Sequence, residues 1–565
     1  MAAIQPLDAT GLRAVLAELQ PALVPSRFEK AQQCDGRTLQ IGLRTLMGTT
    51  WLELSWLAEA PRLLAIAPPP RQGDGSTLAR QLQHGLRGLA LVAIHQADPW
   101  ERIVELAFAP RPGDAVQRSL VLELMGRHSN LFLLDGQRRV IALGHQVRAA
   151  QSRVRPIGTG DPWQPPPPPA GEPPSSAEAE PTWRRRLSLV PLPLRQALMG
   201  AYQGISPALA GQLCEGIVPL EHPINALDED QWQALAARWR AWLAAVEHGR
   251  FQFAPHGERG WRCWVDGAPP PPAAPLAINQ QLAAYHRRWL GEREQQRLRA
   301  QLEHRLGTAL ARERRLADEL EQRLAAAAGS EALQHEADAL LCQPAPSRPV
   351  IEQAQKLYQR ARKLRRSRAA IEPRLDRHRQ RIEALETSLT FAEQADPEEL
   401  LELDDDLIDL LDSDSGGGRA PRRRHRSASA GHPPPRPLEL RTVAGLRLQV
   451  GRNHRQNEWI SLRQARRGDL WFHAQELPGS HVVLKASEAV ASEADLAAAA
   501  DLAAHFSRGR GNGRVPVVMV ATDDLQRIPG TAPGTVRHRG GAVLWGQPER
   551  ARVLLAGRQG DTVQP

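Results

Sequence analysis

Gly468–Lys485 reads GDLWFHAQELPGSHVVLK, and this stretch sets the character of the C-terminal part of a 565-residue chain. Leu470, Trp471, Phe472 and His473 form a strand-like run, Pro478-Gly479 a turn, and Ser480-His481 open a second strand. Neighbouring side chains on a strand point to opposite faces, so Trp471 and His473 share one face while Phe472 and Ala474 share the other. A ring and an imidazole side by side, next to a turn that exposes backbone amides, make a surface suited to base stacking and phosphate contact. Ser480 and His481 belong to the same candidate RNA-binding patch.

Bulk composition agrees with a polyanionic partner. The net charge is +9 and the pI near 10.0, which favours a polyanionic partner such as nucleic acid, with an acidic membrane surface as the competing reading. Only 4 of the 72 basic residues are lysines, so arginine richness reflects a coding bias and says little by itself. Cys34, Cys214, Cys263 and Cys342 form no CxxC pair, which argues against a zinc site or a disulfide framework and for a cytosolic, cytoplasmic location. No apolar run approaches the ~20 residues that span a bilayer, and MAAIQPLDAT lacks a charged-then-apolar signal, so no membrane role is expected.

A chain of this length is too long for one core and reads as several domains. Residues 1–162 have the pattern of a mixed α/β domain: a helix from Leu12 to Leu23, then β-rich runs at Thr38–Leu43, Trp51–Leu57, Arg102–Phe108, Ser119–Leu124 and Leu131–Leu134. A proline-rich linker is expected over 163–182, followed by a helical region over 183–250 in which Gly204–Leu213 (GISPALAGQL) is a turn-then-helix signature. Residues 276–395 are expected to form an antiparallel coiled-coil hairpin. Leu357, Ala361, Leu364, Ile371, Leu375, Ile382, Leu385 and Leu389 make one seam, with Arg368 and His378 at seam positions; Leu298, Leu302, Leu306, Leu310, Leu316, Leu320 and Leu324 make the other. Residues 351–389 as a helix span about 58 Å at 1.5 Å per residue, with Pro373 expected to kink or interrupt the arm.

Eleven Lys or Arg against two acids lie between Lys356 and Arg381, Arg362, Lys363, Arg365 and Arg366 among them. Such a run is either a solvated helix face or an arm that reaches across RNA. Residues 396–437, with ten acids over 396–414 and then the Arg422–Arg424 cluster, read as a charged disordered tether. Residues 438–550 read as a final α/β module in which Ser492 caps a helix through His505.

Hydrolytic chemistry finds no support. There is no GxSxG elbow, HExxH or Walker A loop, and the histidines lack metal-ligand spacing. Ser480 and His481 diverge on one strand, and GRGNG at Gly509–Gly513 precedes a strand, as a turn would. No catalytic residue, metal or cofactor is therefore expected. In the N-terminal domain, Glu123–Asn130 (ELMGRHSN) places Arg127, His128 and Asn130 at a glycine-containing turn, where Arg127 either pairs with Glu123 or faces a ligand. Glu101-Arg102 introduces a strand, and Asp8 stands before the first helix, where it could be a cap.

These segments together resemble the NFACT (RqcH/NEMF) family of ribosome quality control. ELMGRHSNLFLL and APRLLAI at Ala60–Ile66 are similar to its NFACT-N domain, Gly204-Ile205-Ser206-Pro207 to its helix-hairpin-helix region, and the heptads to its coiled-coil middle. VGRNHRQNEWISL, with Arg452 and Asn453, and PGSHVVLK are similar to its NFACT-R RNA-binding module. The resemblance implies a non-hydrolytic factor that binds a large ribosomal subunit obstructed by peptidyl-tRNA. It implies recruitment of alanyl-tRNA for template-free alanine tailing, with peptide transfer left to the ribosome and further quality control proteins as possible partners. The family's tRNA-contacting residues correspond to Asp8 and Glu101-Arg102, with Arg127, His128 and Asn130 alongside; Glu101 stands where the family has Asp and reaches one methylene farther. The alternatives are a general rRNA/tRNA-binding factor without tailing, a DNA glycosylase-like lyase and a surface adhesin. The lyase chemistry needs an N-terminal proline and adjacent glutamate where this chain reads Met1-Ala2-Ala3, and the adhesin needs an export signal.

Overall fold

The structure, a computed structural model, describes residues 4–71, 76–152, 154–267, 274–412, 435–528 and 533–561. The chain forms two compact units, Met1–Gly291 and Glu292–Pro565.

In the first unit, α1 (Ala9–Leu23) precedes β1 (Ser26–Asp35), β2 (Thr38–Thr45), β3 (Gly48–Ser55) and β4 (Arg62–Ile66). Then come α2 (Thr77–Gly85), β5 (Ala90–His95), β6 (Ile103–Ala109), β7 (Arg118–Glu123), β8 (Asn130–Asp135) and β9 (Val140–Leu143). The strands build one nine-stranded antiparallel sheet in the order β4-β3-β2-β1-β5-β6-β7-β8-β9. Leu39, Ile41 and Leu43 of β2, with Leu52 and Leu54 of β3, pack on Leu12, Leu16 and Leu19 of α1, because period-2 and period-3.6 apolar patterns each give one buried face. The sequence pattern anticipates α1, β2, β3, β6, β7 and β8. It misses β1, β5, β9 and α2, while β4 lies in the APRLLAI segment that the family resemblance covers; β1 (SRFEKAQQCD) is largely polar, and its buried Gln32 bonds Gln40 at 3.0 Å instead of contributing an apolar side chain.

Residues 164–179 carry no helix or strand, though Glu172 makes an isolated bridge with Tyr202. Four helices follow, α3 (Glu180–Leu187), α4 (Leu194–Ala201), α5 (Pro207–Cys214) and α6 (Glu229–Glu247), around Trp183, Trp239 and Trp242. A small hairpin of β10 (Ala254–His256) and β11 (Gly260–Arg262) leads to α7 (Ala277–Ala326), which begins in this unit and continues into the second.

In the second unit, α7 is extended by α8 (Ser330–Leu341), and α9 (Arg348–Gln394) returns antiparallel, as the contacts Arg299 Nε to Ala392 O (3.1 Å) and Glu313 to His378 (2.7 Å) show. Leu302, Leu306 and Leu310 pack on Leu385 and Phe391. His378 does occupy the seam, where it meets the buried Glu313; Arg368 faces outward and pairs with Glu372 at 2.7 Å. Pro373 lies inside α9 without ending it.

The expected disordered tether starts instead with α10 (Pro397–Asp412), whose Leu400, Leu403 and Leu407 are buried against the hairpin. Ten acids made the stretch look too charged to fold, but three leucines at i, i+3 and i+7 give it one apolar face. Gly416–Gly418 and Arg422–Arg424 lie outside the described residues.

The C-terminal module contains β12 (Leu438–Arg441), β13 (Arg447–Val450), α11 (His454–Glu458), β14 (Leu470–Ala474), β15 (Val482–Leu484) and α12 (Glu493–His505). It ends with β16 (Val515–Ala521), β17 (Leu525–Arg527), β18 (Val536–His538), β19 (Ala542–Gly546) and α13 (Pro548–Asp561). Six strands pair in the order β12-β13-β15-β14-β16-β19. Ser492 and Asp495 cap α12 reciprocally, and α12 covers one sheet face through Leu502 and Ala499 against Phe472 and Val482.

Candidate nucleic-acid interface

Asp8 is the N-cap of α1 and is buried. Its Oδ1 accepts from Gly11 N at 2.8 Å and its Oδ2 from Ser206 Oγ at 2.6 Å. Ser206 in turn caps α5 through Leu209 N (3.0 Å), so one carboxylate ties the first helix of the sheet domain to the helix-hairpin-helix turn. Burial raises the Asp8 carboxyl above its ordinary range, against the pull of these hydrogen bonds and of Arg102. Asp8 is thus a cap and a clamp.

Arg102 donates to Leu7 O at 3.3 Å; burial lowers its pKa, and the charge of Asp8 counters only part of that. Half-buried, it keeps guanidinium N–H groups for an external acceptor. Glu101 is held by the preceding turn, where Asp98 Oδ1 accepts from Trp100 N (2.8 Å) and Gln96 Nε2 donates to Glu101 O (2.7 Å). Among the described residues no hydrogen bond uses its carboxylate, and burial, then Asp98 and Glu123, raise its pKa. The Ala97–Trp100 turn is seated by Trp100, which packs on Trp242 with ring centroids 5.5 Å apart. A Cβ on Gly204 (φ 74°) would stand 3.1 Å from the Trp100 ring, so glycine permits both the turn and the contact.

The ELMGRHSN turn divides its residues. Arg127 and His128 are exposed on a 3-10 turn, and among the described residues their side chains bond each other, Arg127 Nε donating to His128 Nε2 (3.0 Å). Glu123 is buried and pairs bidentately with Arg155 (2.7 and 2.8 Å) and with Trp163 Nε1 (3.0 Å), so the pairing with Arg127 is not formed. Asn130 is also buried: its Nδ2 donates to His145 O (2.8 Å) and its Oδ1 accepts from Leu131 N and His145 N. It positions the turn rather than facing solvent.

In the C-terminal module Trp471 and His473 do share a face, stacked at 5.5 Å with an 18° interplanar angle. That face is not presented to bulk solvent. Trp471 is 3% exposed, in a second core with Ile460, Val483, Val518 and Leu525. The expected exposed amides are also used, Ser480 N by Phe506 O (2.9 Å) and His481 N by Asn457 Oδ1 (3.0 Å). Ser480 is buried, and His481 Nδ1 meets Ser461 Oγ at 2.8 Å. Gly479 serves packing, since a Cβ there would stand 2.9 Å from Ser507 Cα.

Arg452 and Asn453 likewise turn inward. Arg452 donates to Gln394 O (2.7 Å) and pairs with Glu399 (3.1 Å), while Asn453 Nδ2 donates to Glu402 (2.9 Å) and its Oδ1 caps α11 through Gln456 N. Arg455 pairs with Asp406 at 3.0 Å, and His454 Nε2 meets Ser388 Oγ at 2.9 Å. The acidic α10 is therefore the partner of the VGRNHRQNE segment. Sequence alone cannot distinguish this from an RNA-facing segment, because arginine and asparagine suit carboxylate and phosphate alike.

On the arm Arg362, Lys363, Arg365 and Arg366 are all exposed, and only Arg365 has a partner among the described residues, the neutral Gln334. Sequence reading missed Trp545, 60% exposed on the edge strand β19 opposite Pro516, with Arg510 and Arg514 exposed in the loop before β16. The available signal was an indole in a short β-rich run ended by Gly546, close in sequence to Arg537 and Arg539.

Among the described residues no group of three or more His, Cys, Asp or Glu could hold a metal ion, and no helix is long and apolar enough to cross a membrane. The chain matches the family model of the NFACT N-terminal and middle domains over residues 8–349 and 343–411, and that of the NFACT protein RNA binding domain over 439–540. It is 26% identical over 575 residues to the Rqc2 homolog RqcH of Streptococcus pneumoniae serotype 2, covering 97% of this chain and 98% of the relative. The Rqc2 homolog RqcH of Streptococcus suis is 26% identical over 571 residues, covering 97% and 99%. Among solved structures, the C-terminal part of the fibronectin/fibrinogen-binding protein from Streptococcus suis is similar at 27% identity and a TM-score of 0.39, over 46% of this chain and 98% of that one.

Proposed function

The chain belongs to the NFACT family, and on that premise we propose that it is a ribosome-associated quality control factor. It binds a large ribosomal subunit that still holds peptidyl-tRNA and recruits a tRNA, alanyl-tRNA in the full form of the reading, for template-free extension of the stalled chain. The match to RqcH relatives along 97% of the chain, with an RNA-binding domain at 439–540, carries this reading. The chain acts without hydrolysis in the cytoplasm, and the ribosome makes the peptide bonds.

The geometry supports a division of labour. Arg102 and Glu101, at the junction held by Asp8 and Ser206, present a guanidinium and a carboxylate to the tRNA, and Arg127 and His128 add exposed donors. Arginine can grip phosphate or a guanine edge bidentately, and a carboxylate can accept from a base amino group. The exposed arm cations and Trp545 offer phosphate contact and stacking to ribosomal RNA.

The test is affinity purification under translational stress with sequencing of the bound RNA, for the wild type and Arg102→Ala. Large-subunit rRNA with one enriched tRNA group in the wild type, and rRNA alone in the variant, is the expected result. Ribosomal RNA without tRNA in the wild type would leave a subunit-binding factor in which Glu101 has changed the tRNA step. Absence of rRNA would refute the proposal.

A further inference from the structure

Within the second unit, the base of α9 and the C-terminal module border a partly open cavity of about 460 Å³. Gln380, Glu383 and Thr387 line one wall; Trp471, His473 and His481 line the other. The rings form a cluster, with His481 edge-on to both Trp471 (5.0 Å) and His473 (5.3 Å). The Trp471 Nε1–H is buried without an acceptor among the described residues, an arrangement that costs about 1–3 kcal/mol unless a partner is supplied.

The lining indicates what such a partner would be. Burial pushes His473 down to about 4 and His481 well below its usual value, so both imidazoles are neutral at pH 7. Glu383 contributes an exposed carboxylate to the opposite wall. An anion would meet the carboxylates of Glu383, Glu386 and Glu476, whereas a planar heterocycle carrying both donors and acceptors would find complementary edges and aromatic neighbours. The volume lies within the 300–1,000 Å³ or so usual for small-molecule sites. Arg377 and Arg374, about one and two turns before Gln380 on α9, are exposed and suited to flanking phosphates.

We propose that this cavity captures a single unstacked nucleobase of the bound RNA, with the Trp471 indole N–H as donor and Glu383 as acceptor. The proposal rests on the RNA-binding reading above and adds a base subsite to it.

The full chain is titrated with a mixed-sequence single-stranded RNA 12-mer and with an abasic 12-mer of the same length. Trp471→Phe, which keeps a ring but removes the N–H, is expected to weaken the base-bearing oligomer about fivefold and leave the abasic one unchanged. Thr387→Phe, which fills the cavity from the arm without touching the module's core, is expected to weaken the base-bearing oligomer about tenfold. Equal losses for both oligomers, or no loss for either variant, would overturn the subsite while leaving RNA binding intact. Failure of the wild type to bind the RNA 12-mer would overturn the RNA-binding reading itself. Selective loss of a labelled polyalanine peptide instead of RNA would assign the cavity to peptide and overturn the proposal.

Discussion

Asp8→Ala separates a carboxylate that touches RNA from one that holds the fold. In the structure Asp8 accepts from Gly11 N at 2.8 Å and Ser206 Oγ at 2.6 Å. Losing the cap costs about 1 kcal/mol and losing the bond to Ser206 about 1 more. Removing a carboxylate whose ionisation burial disfavours returns part of that, and stranding the half-buried Arg102 takes it away again. The net expectation is about 2 kcal/mol, which for a unit of this size lowers its melting point by about 4–8 °C in calorimetry of the full chain. Asp8→Asn keeps an oxygen for Gly11 and removes the buried charge. Because the folded carboxyl has a raised pKa, its charged form is penalised in the native state at neutral pH, so this variant is expected to melt close to the wild type. Asp8→Ala also loosens the junction that seats Arg102, so tRNA binding should fall in that variant and change little in Asp8→Asn. Wild-type melting of Asp8→Ala with lost tRNA binding would refute the clamp and make Asp8 a direct contact. Equal destabilisation by the two variants would show that the charge itself is required.

Neutralising Arg362, Lys363, Arg365 and Arg366 together should flatten the dependence of log Kd on log salt for ribosomal RNA by about 3, at roughly 0.7–0.9 per phosphate contact; an unchanged slope in filter binding would return these side chains to a solvated face. Glu402→Ala should destabilise the second unit by about 1–3 kcal/mol in denaturant unfolding, since it strands the buried Asn453 and Gln456 amides that bond to it at 2.9 and 3.2 Å. Unfolding as a function of pH reads the buried imidazoles. His454 and His473 are each held at about 4 by burial. The unfolded chain therefore binds the extra protons between pH 6.5 and 4, and stability should fall as pH drops through that window, by up to about 3 kcal/mol per group. A flat profile there would show that these rings are hydrated.

Several residues chosen for RNA contact prove to be internal fasteners, for a common reason. Arginine, asparagine, histidine and serine recognise phosphate through the donors that also satisfy carboxylates and carbonyls inside a protein. Arg452 and Asn453 meet Glu399 and Glu402 of α10, His481 meets Ser461, and Lys485 of the PGSHVVLK segment meets Asp469 at 3.1 Å where both are buried. Residues left outward, such as Arg127, Arg366 and Trp545, keep their polar or aromatic groups exposed.

The sequence by itself determined what depends on local order. Period-3.6 leucines specify α9 and its partner, alternation specifies β2, β3 and β6 to β8, Ser492 and Asp8 announce helix starts, and motif wording specifies the family. Only the tertiary structure decided which polar side chains are spent inside and which remain for a ligand. That choice depends on pairs far apart in the chain, Asp8 with Ser206, Glu123 with Arg155 and Glu402 with Asn453, whose meeting is set by the packing of whole elements. A buried donor must find an acceptor wherever the fold brings one, so neighbouring residues in the sequence do not reveal it.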